Sequence, residues 1–549
     1  MATCTQCSSA FEIAPGETAL YRDLDVSMPE LCPACRRQRR IVFRNFFNLY
    51  HRTCSLTGKK IISMYRNDAP FPVYAIEEWW SDKWDPLSYG KEIDWNRPMF
   101  EQIGDLHRTV PRVAMVSMNC ENSEYCNMAA NTKNSYLVMG CVANEDCMYG
   151  HIVWKCKDAY DCLYCYQCER CYECIDCVQC NDLAYSRDCD NCSSSSFLVH
   201  CLGCRDCFGC VGLIKKQYCI FNEQHTKDAY EQKMRELNMG SRSTVAFAKS
   251  HVQNLIVQEI VKSYHGFDCE SVTGDYLYHC RKVVEGYDLK NCEDVWHCGT
   301  ADSMKNCQDC NFCGVPPMER CLQNVFVQGY EIAFCHGCFN NCSRMWYSDY
   351  CFSCQDCFAC EGLRNKRFCI LNSQYSKEEY EKLLPRLKEH MRQHGEWGSY
   401  FPPSLTPFGY NETIACEYFP MSREEALSKG WKWYEESDDA EQKYLGPEMT
   451  VPDDVRDASD DVTKAIFRCE SSCQLYKILP QELRFYRQMN VPLPRKCFME
   501  RQRDRFALRN PRKLWNRHCA KCQASIQTTY APDRPEIVYC EACYLSTVY

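Results

Sequence analysis

Between Cys120 and Cys369 the small apolar positions fall on a step of three. In DCLYCYQCERCYECIDCVQC, residues 161–180, a cysteine occupies every third position seven times running. That step matches neither a helical stripe of period 3.6 nor the alternation of a flat strand. The residues between the cysteines are rich in Tyr, Asp, Asn and Ser, with few helical patterns. The pattern predicts parallel β-solenoids: short strands, tight turns and rungs stacked about 4.8 Å apart, with thiols as small apolar side chains in a narrow interior. Fifteen cysteine pairs lie 15 residues apart and twelve lie 18 apart, so the step of three is secure and the coil length is left open.

Helical patterns punctuate this region. Thr226 and Ser376 are expected N-caps of helices that close each solenoid. AFAKSHVQNLIVQEIVKSY, residues 246–264, predicts a further helix, and CRRQRRIVFRNFFNLY, residues 35–50, another. In SREEALSKGWKWYEE, Ser422 and Glu425 form a capping box. No apolar run approaches the length of a membrane span.

Two duplications organise the chain. The segment from Cys201 aligns without gaps with that from Cys351, so cysteines 201, 204, 207, 210 and 219 meet 351, 354, 357, 360 and 369. The termini repeat at an offset of 465: Cys4 meets Cys469, Tyr21 meets Tyr486, Cys32 meets Cys497, Arg44-Asn45 meets Arg509-Asn510, and Cys54 meets Cys519. The expected divisions are 1–53, a basic-helix zinc ribbon; 54–115, a metal-free ribbon copy and connector; 116–264 and 265–395, the two solenoid modules; 396–465, a solvated linker with one short helix; and 466–549, a double ribbon.

Composition narrows the chemistry. The 549 residues include 48 cysteines and carry a net charge of -9, which disfavours a whole-chain polyanion binder. The N-terminus has no basic start and no apolar run, so a reducing cytoplasmic setting without lasting disulfides is expected. Metallothionein-like clustering leaves the interleaved tyrosines unexplained, and the CxxCxxC runs lack the spacing of a ferredoxin ligand set.

Metal ligands are expected at the ends. Cys4, Cys7, Cys32 and Cys35 form two CxxC pairs, and Cys519, Cys522, Cys540 and Cys543 form another two; four thiolates suit tetrahedral zinc. IQTTYAPDRPEIVY, inside the second set, predicts a short hairpin. A weaker set combines Cys469, Cys473 and Cys497 with Glu500. In the copy at Cys54, Thr57, Ala75 and Glu78 replace the other ligands, and the WWSDKWD run is expected to fill the space. Roughly two to three zinc ions are implied.

Arg36, Arg37, Arg40 and Arg44, with Arg501, Arg505 and Arg509, mark candidate contacts to a nucleic-acid backbone. The alternative is a solvated face that pairs with acidic neighbours. His297 beside Cys298 and His336 beside Cys335 are isolated candidates, more simply strand-ending residues. No phosphate loop, zinc-protease helix or nucleophile elbow occurs, and an enzyme is not favoured.

The stretches LCPACRRQRR, TGKKIISMY, WWSDKWDPLSYG, GLRNKRFCILNSQYSKEEYE, EEALSKGWKWY and TTYAPDRPEIVYCEACYL resemble a family of cysteine-rich, zinc-ribbon-domain-containing proteins of candidate phyla radiation (Patescibacteria-type) bacteria. The resemblance spans nearly the whole chain and implies cytoplasmic zinc binding. Phe498 and Glu500 depart from the family pattern, which puts the Cys469 set in doubt.

The expected molecule is mainly β: two tandem cysteine-rich parallel β-solenoid modules with short capping helices, flanked by zinc-ribbon or treble-clef-like ends. Its expected role is a zinc-binding, non-enzymatic scaffold for a protein or RNA partner, with a homo-oligomer possible and no membrane. The alternatives are metal storage and RNA or ribosome association through the Arg-rich helices.

Overall fold

The computed structural model describes residues 1–549 except 14, 24, 282, 284, 293–298, 305–310, 314–320, 323–328, 331, 334–341, 436–446, 448 and 549. His297, Cys298, Cys335 and His336 therefore lie outside the described residues, as does the whole acidic ESDDAEQ segment.

From 117 to 222 the chain winds into a parallel β-solenoid. Lys157–Tyr160 pairs with Glu169–Tyr172, that strand with Asn181–Ala184, and that with Ser193–Ser196, each at a step of 12. Isolated bridges repeat the step on other sides, as in Leu163↔Ile175↔Arg187↔Val199 and Trp154↔Tyr166↔Val178↔Asp190. A coil is thus four sides of three residues. Among the described residues between 266 and 372 a second solenoid stretch keeps the same step along Gly274–Tyr278, Gly286–Cys292 and Gly299–Met304, and along Cys342–Trp346, Gln355–Phe358 and Arg367–Ile370.

The three residues of a side have fixed tasks. One points inward, as in the buried cluster Cys162, Cys165, Cys168 and Cys171. The next makes the bridge: Leu163 donates its N–H to Cys174 O, and Tyr166 to Cys177 O. The third turns the corner. From Met128 to Lys215 every third residue has φ between 47° and 68°, a region unfavourable by about 1–2 kcal/mol for residues other than glycine. The corner N–H is repaid by a bond to the coil before it, as in Asp161 N–H to Met148 O and Tyr164 N–H to His151 O.

Some inward N–H groups, such as that of Cys141, also reach a carbonyl of the coil before, and others use an inward side chain one coil back, which explains part of the cysteine. Cys168 N–H donates to Cys156 Sγ, and Cys204 N–H to Cys192 Sγ, both at 3.4 Å. Ser135 and Ser195 serve Cys147 and Cys207 in the same way, at 3.1 and 2.9 Å. The thiols in turn donate to carbonyls, Cys165 to Leu163 O and Cys174 O, for example. A cysteine here is a small apolar filler that also accepts and donates. Burial pushes the thiols of Cys126 and Cys147 up to about 12, so they stay protonated. All described cysteines are free thiols.

Both solenoids end in an antiparallel turn, Cys219–Ile220 with Glu223–Gln224 and Cys369–Ile370 with Ser373–Gln374. A helix follows each, Lys227–Glu236 and Lys377–Gln393, capped by Thr226 and Ser376 as expected. These helices shield the last coil from edge pairing. The next helix, Arg242–Ile256, starts earlier and stops sooner than its sequence pattern suggests. The remainder, Ile260–Lys262, is a strand because Ile537–Tyr539 of the C-terminal module pairs with it in parallel. At the other end Val73–Tyr74 pairs in parallel with Arg112–Val113, just before the first solenoid.

Three other expectations are corrected. The basic helix ends at Ile41, and Tyr50–Thr53 is a strand. The hairpin expected within 526–539 forms instead between Trp515–His518 and Ser525–Thr528. The described residues of 396–465 are largely packed rather than solvated: Phe401, Phe408, Tyr410 and Trp431 join one core, and Val455, Ala458 and Val462 another. Arg39 holds the first stretch through the Tyr400 and Phe401 carbonyls. The short helix Arg423–Ser428 has the expected capping box.

Each end packs against both solenoids, Phe46 on His151 and Arg509 on Asp288 being two of the contacts. Trp79 meets Phe352 of the second solenoid, while Phe485 stacks on Tyr160 of the first at 3.7 Å between ring centroids. Among the described residues no helix is long and apolar enough to cross a membrane.

Candidate metal centres

Among the described residues four turns share one backbone geometry, at Cys4–Ser9, Cys54–Lys59, Cys469–Gln474 and Cys519–Ala524. In each, the first N–H donates to the carbonyl five residues on. The fifth residue of each, Ser8, Gly58, Cys473 or Gln523, has positive φ and donates back to the first carbonyl.

Two of the turns carry complete thiol sets. Cys4 and Cys7 face Cys32 and Cys35 at the start of the helix Pro33–Ile41, and all four Sγ atoms lie within 4.8 Å of one another. Cys7 and Cys32 are 3.7 Å apart. The same holds for Cys519, Cys522, Cys540 and Cys543, where the second pair opens the helix Glu541–Val548 and Cys522 lies 3.7 Å from Cys540. Either set is able to hold a metal ion. The thiol hydrogen bond from Cys35 is the main reason Cys32 is brought down to about 6, and the same bond pushes Cys35 up. Burial opposes ionisation of Cys519, but the surrounding N–H groups of Cys522, Cys540 and Lys521 outweigh it and hold that thiol at about 6.

The weaker set does not assemble. Cys469 and Cys497 are buried together, but Ser472 stands where the first turn has Cys7, with Oγ 3.7 Å from Cys497 Sγ. Cys473 takes the positive-φ place and is exposed, and Glu500 is bound by Arg503. Cys473 falls one place too late, because the turn geometry assigns the ligand place to Ser472, the residue before it.

At the Cys54 turn, the Ala75 N–H donates to Cys54 Sγ at 3.3 Å. Trp79 is buried against Trp84 and Phe352, so aromatic packing replaces the ligands here.

The seven arginines offered as nucleic-acid contacts are all buried. Arg36 binds Glu17 and the Tyr21 hydroxyl, each at 2.9 Å. Its copy Arg501 lies 3.9 Å from Glu482, which takes a 2.6 Å bond from the Tyr486 hydroxyl. Arg501 and Arg505 share Asp161 at 3.0 and 2.8 Å. Arg509 binds Asp176 at 2.6 Å and lies between the Tyr164 and Tyr276 rings. Arg37 sits over the Tyr418 ring and Arg44 over Phe46. They pair with acidic and aromatic neighbours, but inside the molecule rather than on a solvated face.

No family model, curated protein or solved structure matches the chain.

A third group of potential ligands escaped the sequence reading: Asp188, His200 and His265. Asp188 and His200 are corner residues one coil apart. Only the 12-residue period would have revealed them as neighbours, and His265 comes from the stretch after the strand Ile260–Lys262, just before the second solenoid.

Proposed function

We propose that the protein is a zinc-binding, non-catalytic scaffold in which two zinc ribbons lock a tandem pair of solenoid modules. The observation that carries this reading is the 3.7 Å sulfur separation in both four-thiol sets. Thiolates about 2.3 Å from a tetrahedral zinc lie about 3.8 Å apart. In each set the second thiol pair lies at the start of a helix, Pro33–Ile41 or Glu541–Val548.

The C-terminal set also has a mechanical consequence. Its strand Ile537–Tyr539 carries Ile260–Lys262, the entry to the second solenoid, and Thr528 Oγ1 donates to Ser263 O at 2.7 Å. An ion there fixes the joint between modules. The outer solenoid faces are then the surfaces left for a macromolecular partner, in a reducing cytoplasm that keeps the thiols free.

Metal storage is the rival that metal counting decides. Among the described residues the interior thiols form no ligand group, and their hydrogens are directed to carbonyls. X-ray absorption and elemental analysis of anaerobically purified protein test the reading. Zinc in all-sulfur shells at two ions per chain, one for each set, is expected; ten or more sulfur-bound ions, on the order of a metallothionein-like load, overturn it in favour of storage.

A further inference from the structure

We propose that Asp188, His200 and His265 form a third, sulfur-free site for a divalent transition-metal ion, with coordination positions open to a cleft. The candidate ligand atoms of the three residues lie within 4.8 Å of one another. His200 Nε2 is 3.4 Å from Asp188 Oδ2.

Both imidazoles are already oriented for such an ion. His200 Nδ1 is 2.9 Å from Glu259 Oε2, and His265 Nδ1 is 2.8 Å from Asp275 Oδ1. A carboxylate on Nδ1 fixes the tautomer that leaves the Nε2 lone pair for a metal, the usual outer-shell arrangement of metal-bound histidine. Asp275 is itself fixed. It is buried, and it accepts from the N–H groups of His265 and Tyr276 and from the Thr529 hydroxyl. His265 is further held by stacking on Tyr276, with centroids 4.6 Å apart.

Three chain segments must meet to build this. Asp188 and His200 project from the same corner of successive coils of the first solenoid. Glu259 and His265 flank the strand Ile260–Lys262, and Thr529 and Tyr530 belong to the C-terminal module. The joint that the C-terminal four-thiol set stabilises is therefore also the wall of this site.

The surroundings differ from those of a structural site. Asp188, His200, Glu259, His265 and Tyr530 line a cleft of about 470 Å³ between the two solenoids. Three protein ligands with room beside them leave a place for exchangeable water or a small oxygen-donor ligand, whereas the four-thiol sets are closed. The Tyr530 hydroxyl lies 3.1 Å from His265 Nε2, the lone pair that an ion would take, so it must turn aside on binding and then stands as a hydrogen-bonding neighbour of the ion. Two imidazoles and one carboxylate suit zinc, cobalt and iron(II), and exclude the all-oxygen preference of calcium and magnesium.

The rival is a metal-free ion-pair network in which a protonated His200 bridges Asp188 and Glu259. The two differ in stoichiometry and in donor type. Chelator-stripped full-length protein is titrated anaerobically with cobalt(II), with zinc(II) and with iron(II), followed by elemental analysis after desalting. The third group predicts one ion per chain beyond the two thiol sets. Its cobalt spectrum should lack sulfur-to-metal charge transfer. Asp188→Asn and His265→Gln should each abolish that one ion while the thiolate bands remain, and those bands and the circular dichroism report that the variants are folded. Glu259→Gln should weaken it by roughly 10–100-fold without changing the others. Saturation at the sulfur-bound ions alone, or retention of the extra ion in both ligand variants, overturns the proposal. Loss of the thiolate bands alone would count against the zinc ribbons and leave this site standing, since its donors contain no sulfur.

Discussion

Cys156 Sγ accepts the backbone N–H of Cys168 one coil further on, at 3.4 Å. The contact makes the thiol a structural acceptor, so shape alone does not decide what this position tolerates. Serine does the same task at Ser135 and Ser195. Cys156→Ser should therefore stay within about 1 kcal/mol of the parent, while Cys156→Val strands the Cys168 N–H and should cost about 1–3 kcal/mol. Urea unfolding of the two variants checks the order; a valine variant as stable as the serine one would refute it.

That acceptor role also marks the boundary of what the sequence shows. The step of three is visible because one residue of every side points inward. The coil length is hidden because four inward columns all admit cysteine, so cysteine pairs 12 apart are no more frequent than pairs 15 apart. The helix caps at Thr226, Ser376 and Ser422 are local chemistry and are legible. The four-thiol sets are equally local, two CxxC pairs each. The burial of Arg501 is not, because its partner Asp161 is 340 residues away and looks like one of many corner aspartates. Cys473 misleads for a geometric reason, since only the turn shows that the ligand place falls on Ser472, one residue earlier.

Asp161 sits with no exposed surface between Arg501 and Arg505. Asp161→Asn leaves two buried guanidinium groups short of charge compensation. A loss of about 3–5 kcal/mol is expected, with thermal unfolding as the measurement. A replacement that shifts the midpoint by no more than an ordinary surface change would show the pair to be dispensable.

Thiol accessibility separates ligands from ladder. In zinc-loaded protein Cys473 should be the described cysteine most readily alkylated by iodoacetamide, because it is exposed and outside both sets. After chelation Cys7 and Cys522, also exposed, should join it, while the buried interior thiols remain protected until the chain unfolds. Peptide mapping by mass spectrometry reads this directly. Early labelling of Cys165 or Cys177 in folded protein would contradict it.

Acid should loosen the ends first. Cys32 and Cys519 are held at about 6 in the metal-free protein, below the ordinary thiol value of about 8.5. For a lowered value, the stabilising contribution is complete above about 8.5 and is lost as pH falls through about 6. Zinc retention should follow the same sign, with protons competing increasingly below that point. Competition with a chromophoric chelator across this range tests it; affinity independent of pH would argue against thiolate ligation.

Lys155 is an exposed corner residue with φ 55°. Asparagine tolerates this region better than lysine, so Lys155→Asn should raise stability by roughly 0.5–1 kcal/mol. A drop on chemical denaturation would mean that the corner strain is already relieved by other contacts.

The aromatic contact between Tyr160 and Phe485 has a consequence for the ribosome-bound chain. Coils of a solenoid can form as they emerge, each on the one before. The Tyr160 wall, however, meets its partner only after 325 further residues, the separation of these two positions. At ordinary synthesis rates that delay is roughly 15–65 s. During this interval the young first solenoid presents an apolar flank to the cell, which makes it the segment on which chaperone attention, or premature self-association, should concentrate.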